Sequence, residues 1–83
     1  MITVRFFAGV REALQTDALQ LPHRSDLTVA ALRTQLADRD PLWSAQLGSS
    51  RLLMCAVNEV MASPDTALND GDVVAFFPPV TGG

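Results

Sequence analysis

The chain has 83 residues and a mass of 8.9 kDa, which suits one small domain and leaves no room for a second core. Hydrophobic residues make up 48% and charged residues 18%, with a mean hydropathy of +0.21, so a disordered chain is excluded. Six arginines against nine acidic residues leave a net charge of −3 and a pI near 4.7, the reverse of a nucleic-acid-binding footprint.

The first predicted element is a strand. Ile2, Val4 and Phe6 alternate with Thr3, Arg5 and Phe7, which makes Phe7 an apolar residue on an otherwise polar face. Residues 9–16 hold good helix formers and read as a short helical turn. Residues 17–21 read as a second strand, stopped by Pro22. The principal helix follows: Thr28 is a suitable N-cap, Leu27 can staple onto Leu32, and Val29, Leu32 and Leu36 repeat at helical spacing. Pro41 disfavours helical geometry at Asp40, so this helix ends by about residue 39. Pro41 then opens a second short helix through Trp43 and Leu47, ended by Gly48, with Trp43 read as a cap on the core.

Residues 51–57 form a nearly continuous apolar run and read as a central strand buried on both faces. Val60-Met61-Ala62 is a short return strand. Asn69-Asp70-Gly71-Asp72 is a turn signal, and Val73 to Phe77 is the last strand, closed by Pro78 and Pro79, which lack ladder amides. One principal helix packed across a mixed sheet is the natural two-layer solution, so the fold class is α+β.

Few side chains here can carry chemistry. Cys55 sits within the most apolar strand, where burial opposes a reactive thiolate, and it cannot form an internal disulfide or, with the single His23, a zinc site. His23 lies in a Pro-His-Arg-Ser loop and reads as exposed. No acidic pair shares a helix face, and neither a Gly-rich phosphate loop nor a Ser-His-Asp order is present. The expectation is therefore no metal, no cofactor bound by this chain, and no free-standing catalytic cleft. No stretch approaches the roughly 20 apolar residues of a membrane span, and no basic segment followed by an apolar core opens the chain. The expected address is the cytoplasm, with no nucleic-acid or membrane partner.

The last residues are different. Phe76-Phe77-Pro78-Pro79-Val80-Thr81-Gly82-Gly83 places two stiff prolines before four residues that reach about 13–14 Å when extended. Two glycines let a terminal carboxyl enter a narrow channel and leave its carbonyl open to attack. The expected organisation is a domain over residues 1–79 and a flexible tail over 80–83. If Val74 and Phe76 face the core, Phe77 shares the outer face with Phe7, and Met61 can join them. Aromatic residues and Met are enriched at interface centres, which makes this a candidate docking face.

Residues 6–12 (Phe-Phe-Ala-Gly-Val-Arg-Glu), residues 68–76 (Leu-Asn-Asp-Gly-Asp-Val-Val-Ala-Phe) and the Pro-Pro-Val-Thr-Gly-Gly ending resemble the molybdopterin synthase small-subunit family, and the resemblance spans the chain. It implies a ubiquitin-like β-grasp with the first and last strands side by side at the sheet centre. It also implies a sulfur carrier in molybdenum cofactor biosynthesis. A ubiquitin-activating-like adenylyltransferase would use ATP to form an acyl-adenylate on Gly83. A sulfurtransferase or other persulfide donor would then convert this to a thiocarboxylate. Gly82 would permit access. The tail would enter the large subunit of a heterotetrameric synthase and give sulfur to cyclic pyranopterin monophosphate. Phe7, Met61, Phe77, Pro78, Pro79, Val80 and Thr81 would contact that large subunit. Gln15-Thr16 departs from the family, where a glycine often follows the first helix. The alternatives are a thiamine-type sulfur carrier, a ubiquitin-like protein modifier, or an interaction domain with an inert tail. Lys is absent, so no side-chain amine of this chain is an acylation target.

Overall fold

The computed structural model describes residues 1–79 and orders them as β1 (Ile2–Phe6), α1 (Ala8–Leu14), β2 (Ala18–Leu21), α2 (Val29–Ala37), α3 (Pro41–Leu47), β3 (Met54–Val57), β4 (Val60–Met61) and β5 (Val73–Phe77). The five strands form one sheet of order β2-β1-β5-β3-β4. The two strands with the strictest alternation, β1 and β5, run parallel at its centre, with Val4 opposite Val74 and Phe6 opposite Phe76. The remaining pairings are antiparallel. A mixed sheet with helices on one face and this strand order is the ubiquitin-like β-grasp, as the resemblance implies.

Alternation supplies the core from the sheet side. Ile2, Val4, Phe6, Val74 and Phe76 are all buried, and they meet Val29, Leu32 and Leu36 from α2. Each such side chain contributes about 1.5–3 kcal/mol on burial. The Thr28 hydroxyl accepts from the Ala31 amide at 3.2 Å, which fixes the start of α2. Asp40 does the same for α3, accepting from the Trp43 amide at 3.0 Å, with Pro41 in the first turn. Trp43 closes the core edge: its ring meets Phe6 edge-on at 5.6 Å between centroids, and the Arg39 guanidinium lies 4.7 Å from its centroid.

Three local readings change. The run over 51–57 is a strand only from Met54; it lies inside the sheet, between β5 and β4, but its outer face is only partly covered, with Met54 37% exposed and Leu52 ahead of the strand 75% exposed. The reason lies in α2. Arg33 donates from Nε to the Leu47 carbonyl (2.7 Å) and from Nη2 to the carbonyls of Gly48 (2.8 Å) and Arg51 (2.6 Å). Arg33 thereby satisfies carbonyls at the end of α3 and at Arg51 and holds that segment against α2 and out of the ladder. Gly48 ends α3 without entering the left-handed region; a Cβ there would lie 2.5 Å from the Ser44 carbonyl oxygen, so glycine is required by close approach. His23 is half-buried, its Nε2 2.8 Å from the Leu68 carbonyl, and it ties the loop after β2 to the approach of β5. By contrast Gly71 takes the expected positive φ, +93°.

Candidate functional site: an apolar outer face beside the last strand

With one side of each strand committed to the core, period-2 alternation presents the others to the outside. Thr3 and Arg5 of β1, Val73, Ala75 and Phe77 of β5, and Met54 and Ala56 of β3 share that outer face. Met54 stands opposite Phe77, Ala56 opposite Ala75, and Met61 of β4 opposite Ala56. Phe7 follows β1 in extended geometry (φ −135°, ψ 157°), so the alternation continues through it. The Arg5 guanidinium lies 5.6 Å from the Phe7 ring centroid, which puts both side chains on the same side.

The sheet thus brings Phe7, Phe77 and Met61 to one face, as expected, and adds Met54. Phe7 is 38%, Met54 37% and Met61 55% exposed, while Phe77 is half-buried. The two alanines, 56 and 75, lie between the larger side chains and give the face a low floor. Phe6 pairs with Phe76, so Phe7 and Phe77 stand one step further along parallel strands, at the end from which the chain leaves the sheet. Pro78 and Pro79 continue from there half-buried. Val80, Thr81, Gly82 and Gly83 lie outside the described residues.

Met54 was hidden in the sequence because a continuous apolar run carries no parity. Counting outward from Cys55 as a core residue would have placed it, since its neighbours on either side must then face away.

The face carries little reactive chemistry of its own. Cys55 points to the opposite side: it pairs with Phe76, is buried, and its thiol donates to the Ala62 carbonyl at 3.4 Å. Burial pushes this thiol up from its ordinary range, and the Arg33 charge offsets that only in part. The same burial lowers Arg33, which spends its donors on α3. Arg33, Cys55, Leu47 and Phe76 line a cleft of about 650 Å³ between α2, α3 and β3. Among the described residues, no three His, Cys, Asp or Glu side chains come together, and no helix is long and apolar enough to cross a membrane.

Comparison with known proteins finds relatives over the whole chain. The ThiS family matches residues 4–83. The molybdopterin synthase sulfur carrier subunit of Escherichia coli (strain K12) is 50% identical over 84 residues, covering 100% of both chains. The protein of the same name in Haemophilus influenzae is 41% identical, again over 100% of both. Among solved structures, the protein–protein complex of subunits 1 and 2 of the molybdopterin-converting factor from Helicobacter pylori contains a chain of the same fold. Its TM-score is 0.69 at 26% identity, covering 99% of this chain and 97% of that one.

Proposed function

Because the chain belongs to the ThiS family, we propose that it is the sulfur-carrying subunit of a molybdopterin synthase, working in the cytoplasm. The observation that carries this reading is the full-length similarity to two sulfur carrier subunits, extending through a Gly82-Gly83 ending. In this reading residues 1–79 are the docking body and residues 80–83 the working tail.

The chemistry needs only the terminal carboxyl of Gly83. A carboxylate is a poor electrophile, so it is first converted to an acyl-adenylate by an adenylyltransferase that consumes ATP. The terminal sulfur of a persulfide donor then attacks the acyl carbon and expels AMP, giving an acyl disulfide; a second thiol of the donor cleaves its S–S bond, which leaves the thiocarboxylate on Gly83 and a disulfide on the donor. The tail carries this group into the large synthase subunit, where the sulfur attacks cyclic pyranopterin monophosphate; water then cleaves the acyl–sulfur bond, so the sulfur stays on the pterin and Gly83 returns to a carboxylate. Sulfur is the better nucleophile there, and it stays bound to a carrier throughout. Gly82 leaves the carbonyl unshielded. Phe7, Met54, Met61 and Phe77 supply a desolvated anchor beside the tail, with Pro78, Pro79, Val80 and Thr81 following it into the partner. The absence of lysine means that no side-chain amine of a neighbouring carrier copy can capture the activated carbonyl.

The reading is tested by incubating the protein with the adenylyltransferase and ATP and following pyrophosphate release. Release that depends on Gly83 is expected. Equal release from the full chain and from a chain lacking Gly83 would contradict it.

A further inference from the structure

Asp72 is the one buried charged side chain among the described residues, and the docking function does not account for it. Its carboxylate is fully engaged by two donors. Oδ1 accepts from Asn58 Nδ2 at 2.9 Å, and Oδ2 accepts from the Asn69 amide at 2.8 Å. Its own carbonyl accepts from the Thr3 amide at 3.0 Å, which ties it to β1.

Asn58 is the first residue of the two-residue turn between β3 and β4. It and Glu59 both have positive φ, 51° and 70°. Its amide donates to the Val73 carbonyl at 2.8 Å, extending the β3–β5 ladder by one step. The return bond, from the Val73 amide, goes to the side-chain oxygen of Asn58 at 3.0 Å and not to its backbone carbonyl. The side chain therefore stands in for the backbone acceptor, and its remaining amide hydrogens are aimed at Asp72. This polarity admits one arrangement: oxygen toward Val73, nitrogen toward Asp72.

The strand that depends on this turn is the weakest in the sheet. β4 has two residues, pairs with β3 alone, and presents Met61 to the outer face. A strand so short has little ladder of its own to set its height and twist. We propose that Asn58 and Asp72 form a clasp that positions Met61 on the docking face, so that both act as positioning residues for partner binding. The inference rests on the docking role given under Proposed function.

The test exploits the polarity of the clasp. Asn58→Asp puts two carboxylate oxygens against each other. Asp72→Asn puts two donors against each other, whichever way its amide is turned. The double variant restores every bond: the carboxylate introduced at position 58 accepts from the Val73 amide and from the side-chain amide introduced at position 72, whose oxygen accepts from Asn69. Aspartate also tolerates the left-handed backbone nearly as well as asparagine. Binding of each variant to the purified large synthase subunit is measured by calorimetry, with thermal melts and amide exchange at Ala62, whose N–H donates to the Cys55 carbonyl.

Each single variant is expected to weaken binding by about tenfold or more while still folded, with faster exchange at Ala62. The double variant is expected to recover to within about threefold of wild type. Val29→Ala, a core change in α2, lowers the melting temperature and leaves affinity unchanged. Asn58→Ala removes the same bonds without adding charge and replaces Asn58→Asp should that variant unfold. Single variants that melt earlier but bind like wild type would overturn the clasp's positioning role and leave the docking reading intact. A wild-type protein that does not bind the large subunit would overturn the docking reading, and the inference with it.

Discussion

Phe77 separates docking from folding most cleanly, and Phe77→Asp is the perturbation that does so. The side chain lies on the outer face, half-buried, opposite Met54 and one step beyond the Phe6–Phe76 pair. Its loss from the free protein removes one cross-strand pair, with Met54, about 1 kcal/mol. In a complex with the large subunit, the same position would be desolvated on all sides. An unpaired carboxylate there costs about 3 kcal/mol or more, which is a loss of affinity of about 100-fold or more. Calorimetric titration against the large subunit, paired with a thermal melt, reads both quantities on one sample. Met54→Asp should behave alike, whereas Gln20→Asp, on β2 away from the tail, should leave both nearly unchanged. Near-wild-type affinity for Phe77→Asp, or a loss no larger than its loss of stability, would refute the assignment of this face.

Three further outcomes follow from the fold. Arg33→Met removes charge-assisted donors from the carbonyls of Leu47, Gly48 and Arg51 and should cost about 1–3 kcal/mol, seen as a lower urea midpoint. An unchanged midpoint would mean that water satisfies those carbonyls equally well. Gln15 holds a left-handed conformation (φ 51°) at the end of α1, so Gln15→Gly should gain about 0.5–1 kcal/mol and raise the melting temperature by a few degrees. Cys55 has its thiol pushed up by burial, so the folded state holds the proton more tightly than the unfolded chain. Its contribution is fully present below the ordinary thiol pKa and is lost as pH rises through that value toward the raised one. The stability gap between wild type and Cys55→Ala should narrow from about pH 7 to about pH 10. A gap that widens would contradict the burial argument.

The parts of the fold legible in the sequence are those where one residue type has one physical use. Alternation in β1 and β5 set the parity that brought Phe7 and Phe77 to one face. Thr28 before an apolar helical stripe, Pro41 at a helix start and Gly71 in a turn each point to a single local geometry. The run from Arg51 to Val57 was not legible, because seven consecutive residues without alternation carry neither parity nor a start. Its true beginning depends on Arg33, a residue about twenty positions earlier on another element. Gln15 shows the opposite case: the expected family glycine is missing, yet the helix still ends in left-handed geometry at that position. The Asn58–Asp72 pair was invisible for a similar reason. Asp72 reads as an ordinary turn residue until the fold brings the β3–β4 turn against it.

The proposed working group is the terminal carboxyl of Gly83, and intact mass spectrometry tests that role directly. After incubation with the adenylyltransferase, ATP and a persulfide donor, the protein should gain the mass difference of one sulfur for one oxygen, located on Gly83. A chain lacking Gly83 should fold normally and gain nothing. An unchanged mass for the full chain under conditions that activate a known carrier would contradict the account.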